Sequence, residues 1–183
     1  MTPPILFPAA LQPFAPALLQ ALSGSPDDFP RQGSHVHVHG EPLFIPYRLC
    51  VSENNLWRLI DAATGDRRTL ALCFGTRHNE GRAREDCLRA LLGTDAAWAI
   101  PFVVRLLGEY VIEIVEVVAA ALPSMNAAHI AAFVRENPAF MATTRRQASS
   151  YWNCYCRHKS KLKRYPAIQV LDAMALLASH GGT

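Results

Sequence analysis

The chain has 183 residues, half of them apolar and 18% charged, with a formal net charge of +3 and five cysteines. That length buries a core without disulfides, and the apolar share excludes a disordered chain. The scattered, odd set Cys50, Cys73, Cys87, Cys154 and Cys156 argues against a secreted disulfide framework.

The first 22 residues are apolar, but they lack a basic flank and are cut by Pro3, Pro4, Pro8, Pro13 and Pro16. Neither a signal peptide nor a membrane span fits, so a cytoplasmic protein with no membrane contact is expected. Pro16 suits the first turn of a short helix reaching Leu22, and residues 23–34, rich in Gly, Pro, Asp and Ser, form a linker. The expected organisation is an N-terminal arm and linker over 1–34, then a single mainly helical domain over 35–183. His-Val-His-Val-His at 35–39 and Leu-Phe-Ile-Pro-Tyr-Arg-Leu-Cys-Val at 43–51 flank Gly40, Glu41 and Pro42. They predict a short β-hairpin or an extended arm, and Pro46 restricts any sheet to an edge or a two-stranded ribbon.

Helical signals dominate afterwards. Ser52 is a predicted N-cap, Leu56, Trp57, Leu59, Ile60 and Ala63 form an apolar face, and Gly65 is the stop. Asp66 caps a further element over 67–74, where helix is favoured over buried strand. Residues 80–92 form a helix with Ala83, Cys87, Leu88 and Leu91 on one side. Residues 101–122 are predicted as one central helix, with Pro101 in the first turn and Pro123 after the end. Its only charges, Arg105, Glu109, Glu113 and Glu116, follow at spacings of four, four and three, a narrow stripe expected to be the exposed side. Asn126 opens a helix to Glu136. Asn137 with Pro138 opens a long one to about residue 162, with Met141, Thr144, Ala148, Tyr151, Tyr155, His158 and Leu162 facing inward. Pro166 starts a last helix through Ile168, Leu171, Met174 and Leu177.

The sum is an all-α fold, an irregular bundle or array of roughly six to eight helices. The pair 80–92 and 101–122 resembles one unit of a HEAT-type helical repeat, through Arg-Glu-Asp-Cys-Leu-Arg-Ala-Leu-Leu-Gly followed by Ile-Pro-Phe-Val-Val-Arg-Leu-Leu-Gly-Glu-Tyr. A solenoid stacks about three or more such units, and no second copy recurs at a fixed period, so the family is not assigned.

Charge segregation is the main functional signal. Residues 137–171 contain no Asp or Glu but hold Arg145, Arg146, Arg157, Lys159, Lys161, Lys163 and Arg164, leaving 11 basic against 15 acidic residues elsewhere. With Tyr151, Trp152, Tyr155 and Tyr165 nearby to stack on bases, this is the footprint of a site for nucleic acid or an acidic protein. The plainer account is a solvated helix end whose cations meet the helix dipole.

Three other constellations resemble sites. His35, His37 and His39 share one face of a strand, where two of them could hold a metal with Glu41, Asp28 or a remote carboxylate as a third ligand; the plainer account is an exposed polar face of an edge strand. Cys154, Cys156 and His158 resemble a ligand string, but on a helix the two thiols point to nearly opposite sides, about 200° apart. Glu109, Glu113 and Glu116 form a carboxylate row with no Glu-x-x-His partner, and Arg77, His78, Asn79 and Glu80 mark a helix start whose capping and surface contacts account for them. No phosphate-binding glycine loop, nucleophile elbow or His-Glu-x-x-His string occurs. The expected function is therefore a non-enzymatic helical binding module with a basic C-terminal face, without metal or other cofactor. The alternatives are a metal-dependent enzyme built on His35, His37 and His39, and a structural subunit whose apolar surface forms a homo-oligomer.

Overall fold

The computed structural model describes residues 6–23 and 32–180. Nine α-helices and one two-stranded hairpin make up the described chain, an all-α array with a small β element. It divides into two compact units, one ending at Ala99 and the other beginning at Ile100.

In the first unit, the hairpin pairs β1 (Gly33–Val38) with β2 (Glu41–Pro46), antiparallel, with Val36 opposite Leu43. His39 and Gly40 close the turn with φ of 53° and 81°. Two successive left-handed residues give the turn whose twist matches the strands, and glycine adopts that conformation without a steric penalty. Alternation sends Val36 and Val38 into the core and His35 and His37 into solvent. The free edge of β2 is partly covered, because the Phe44 amide donates to the Leu6 carbonyl at 2.9 Å.

Four helices complete this unit: α1 (Ala15–Ser23), α2 (Glu53–Ala62), α3 (Gly65–Gly75) and α4 (Gly81–Leu91). α3 packs against α1, α2 and α4, and every residue from Thr69 to Gly75 is buried. A helix apolar on all sides belongs in the interior. Its N-cap is Thr64, ahead of the Asp66 cap expected from sequence.

The second unit contains α5 (Ile100–Leu106), α6 (Ile112–Ala121), α7 (Ala127–Glu136), α8 (Pro138–Tyr151) and α9 (Pro166–His180). α9 packs against α6, α7 and α8, burying Ile168, Leu171 and Met174. Asn126 caps α7 as the sequence indicates, its side-chain oxygen accepting from the amides of Ala128 and His129.

The single central helix expected over 101–122 is instead two helices. α5 tightens at its end, where the amides of Leu107, Gly108 and Glu109 each donate to the carbonyl three residues back, and Val111 is extended. Glycine is costly in a helix interior, and Gly108 lets Gln147 lie close: with a Cβ there, 2.6 Å from Gln147 Oε1, the end of that side chain would have to shift. The break dissolves the charged stripe. Glu109 is 5% exposed and Arg105, half-buried, donates to Gln147 Oε1 at 2.8 Å, while Glu113 and Glu116 face solvent.

No single described helix is long and apolar enough to cross a membrane; the bent pair Ile112–Ser124 and Ala127–Glu136 meets that measure only with both helices together.

Candidate functional site

The acid-free stretch 137–171 lies within the second unit. α8 was expected to run to about residue 162, but the α geometry ends at Tyr151 and gives way to a π-helical turn, Trp152–Cys156. The chain then reverses. The amides of Lys159 and Ser160 both donate to the Cys156 carbonyl, at 2.9 and 3.1 Å, and Trp152 Nε1 donates to the Ser160 carbonyl at 3.0 Å. A short turn, Leu162–Arg164, leads into α9. The indole therefore ties the end of the helix to the loop that follows it.

That closed loop frames an open concavity of about 560 Å³, lined by Trp152, Arg157, His158, Lys159, Lys161 and Arg164 among others. Arg157, Lys159, Lys161, Lys163 and Arg164 are all exposed, and none forms an ion pair or side-chain hydrogen bond among the described residues. Lys163 shares the short turn but does not line the concavity. The other two cations stand apart on α8: Arg145 pairs with Asp172 of α9, and Arg146 donates to Thr143 Oγ1 at 2.7 Å. Four like charges around one hollow repel one another, and an anion relieves that repulsion.

The aromatic residues separate into two roles. Tyr165 is 3% exposed and belongs to the core, contrary to its expected stacking role, and burial first, then Cys156, pushes its phenol up. The rings of Tyr110, Tyr151 and Tyr155 instead form a ladder: Tyr110 to Tyr151 at 5.9 Å between centroids, Tyr151 to Tyr155 at 6.4 Å and nearly parallel at 23°. The two end rings are open, Tyr110 at 60% and Tyr155 at 63% exposure. Tyr155 and His158 were expected to face inward, and the π turn is why they do not. It inserts a residue into the helical count, so the half-buried position falls on Cys156. Sequence reasoning missed Tyr110, whose placement depends on the break between α5 and α6.

The metal candidates disperse. His35 packs its ring on Phe44 at 5.1 Å, His37 lies on the exposed face, and His39 leaves the strand at the turn. Glu41 accepts from the Ala9 amide at 2.6 Å, and Asp28 lies outside the described residues. Cys154 is exposed and Cys156 half-buried. No group of three His, Cys, Asp or Glu side chains among the described residues is placed to hold a metal ion.

Residues 77–80 do mark a helix start, with Glu80 the N-cap of α4 and Asn79 and Glu80 exposed, but Arg77 and His78 are not at the surface as expected. Arg77, His78 and Arg84 are 1%, 2% and 1% exposed. Arg77 donates through Nε to the Pro46 carbonyl at 3.1 Å and through Nη2 to the Tyr47 carbonyl at 2.6 Å. His78 Nδ1 accepts from the Glu80 amide at 3.0 Å, which leaves the ring hydrogen on Nε2 to donate to the Val51 carbonyl at 2.9 Å. Arg84 Nη1 donates to the carbonyls of His78 and Asn79, both at 2.9 Å. These side chains satisfy backbone acceptors in and beside the core, a structural task. Cys73 and Cys87 are buried free thiols: burial, then Cys87, raises Cys73, and burial, then Asp86 and Glu53, pushes Cys87 up to about 12. Neither supplies a thiolate near neutral pH.

Comparison of the chain with protein-family models, with curated proteins and with solved structures finds no match.

Proposed function

We propose that the second unit is a non-enzymatic binding module whose loop 157–164 takes up a polyanion. One observation carries the reading: Arg157, Lys159, Lys161 and Arg164 surround one open concavity without an acidic partner among the described residues. These cations are held in one loop closed by the Trp152 to Ser160 hydrogen bond, so their charges act on one region of space. Phosphate or sulfate groups meeting these side chains release condensed counterions, so affinity falls steeply as salt rises.

Titration of purified protein with nucleic acid and with heparin over a series of salt concentrations tests this. Replacing Lys159, Lys161 and Lys163 by Gln should flatten the slope of log affinity against log salt by roughly one unit for each phosphate left without its cation. Absence of salt-sensitive binding to DNA, RNA and heparin alike returns the loop to a solvated helix end.

A further inference from the structure

We propose that the polyanion is a single-stranded nucleic acid whose bases stack on the Tyr110–Tyr151–Tyr155 ladder while its phosphates occupy the basic concavity; this rests on the polyanion reading above. Charge alone does not choose between a single strand, a duplex and a sulfated polysaccharide, since all present rows of anions. The ladder does choose. A duplex buries its base faces in its own stack, and a polysaccharide has no π faces, so only a single strand offers flat aromatic partners to exposed rings.

Three features support such a site. Tyr155 lies two residues before Arg157 in the sequence, on the segment that leads into the concavity, so the ladder adjoins the basic loop along the chain while the concavity itself is lined by Trp152 and not by the three tyrosines. The end rings are 60% and 63% exposed while Tyr151 between them is half-buried, so the ladder is anchored in the middle and open at both ends. A lone exposed tyrosine is ordinary, but here Tyr151 touches both end rings, tilted at 51° to Tyr110 and at 23° to Tyr155, and stacking on rings already held in this way costs little side-chain entropy. The same geometry suits sequence-tolerant binding, because every base has a π face.

The test compares labelled oligo(dT) and oligo(U) of about a dozen nucleotides, a blunt DNA duplex of equal length, and heparin, all at one low salt concentration. The proteins are the full chain, Tyr155→Ala and Tyr155→Phe. Tyr155 is 63% exposed, so its truncation leaves the core intact, which an unchanged circular-dichroism melt verifies. The expected result is tighter binding of either single strand than of duplex. Tyr155→Ala should lose single-strand affinity by roughly tenfold with heparin binding unchanged, and Tyr155→Phe should retain the affinity of the parent. Equal affinity for duplex and single strand, or single-strand binding indifferent to Tyr155→Ala, overturns this inference while heparin binding still supports the polyanion reading. Failure of the parent chain to bind any of the four probes overturns both.

Discussion

Arg77 and Arg84 in the first unit carry the same guanidinium group as Arg157 and Arg164 in the second, and the fold uses them in opposite ways. The first pair is about 1% exposed, with donors aimed at the carbonyls of Pro46, Tyr47, His78 and Asn79. The second pair is exposed, with no protein acceptor among the described residues. A buried cation is tolerated where its hydrogen bonds are met, and it then ties distant segments of backbone together. An exposed cation without partners contributes little to stability and is left to meet something outside the chain. Composition treats the four residues alike; their hydrogen-bond partners separate scaffold from site.

Stability measurements on single variants break or sharpen that contrast, and the largest effect belongs to the buried pair. Arg77→Met leaves the carbonyl of buried Pro46 without its side-chain donor and empties a fully buried position of its guanidinium, while the Tyr47 carbonyl keeps its bond from Arg48 Nη1. It should cost roughly 3 kcal/mol in urea unfolding. Arg157→Gln and Arg164→Gln should each stay within about 0.5 kcal/mol of the parent. Comparable losses at Arg77 and Arg157 would erase the distinction between the two units.

The cysteines extend the same contrast to thiols. Cys87 titrates at about 12 when folded, against an ordinary value of 9.0, and Cys73 is raised as well. The raised folded value means that stability is intact below the unfolded pKa. It is lost as pH climbs from there toward 12, because the unfolded chain releases a proton that the folded chain holds. The loss should approach about 1.4 kcal/mol per pH unit for each such thiol. In the native protein a thiol reagent should label Cys50 and Cys154 promptly and reach Cys73 and Cys87 only on unfolding; prompt labelling of Cys87 would contradict its burial. The smallest effect is acidic: Glu113→Gln at the exposed start of α6 should change stability by less than about 0.5 kcal/mol, whereas Glu109→Gln, at a buried position, should cost more.

The elements legible in the sequence are those whose cause is local. Alternation at 35–38 and a turn at Gly40 specify the hairpin, and Asn126 marks the start of α7 because its cap bonds reach only two and three residues ahead. The break at 107–111 was not legible: periodicity assigns faces to a helix already assumed continuous, and the side chain that lies against Gly108 comes from Gln147 in another helix. The burial of Arg77, His78 and Arg84 was hidden for a related reason. Their acceptors are mainly backbone carbonyls between residues 46 and 79, and a carbonyl leaves no trace in a pattern of side chains. At the candidate site, the charge map identified the cations but not the hollow. The hollow follows from how the chain reverses after Trp152, and Tyr155 was assigned to the wrong face by extending the α period beyond Tyr151.

The π turn at Trp152–Cys156 also changes what chain length means there. In an α-helix a deleted residue rotates everything beyond it by about 100°, and a π turn already contains the offset of one such residue. Removing Asn153 would therefore take out the extra residue and restore the ordinary screw with Cys156 still at the half-buried position, Tyr155 still outward and the cations behind it still aimed as they are. Removing a residue from within α8 instead would turn all of them by about 100°, so the π turn is the one place in this helix where a residue can be lost without a change of direction.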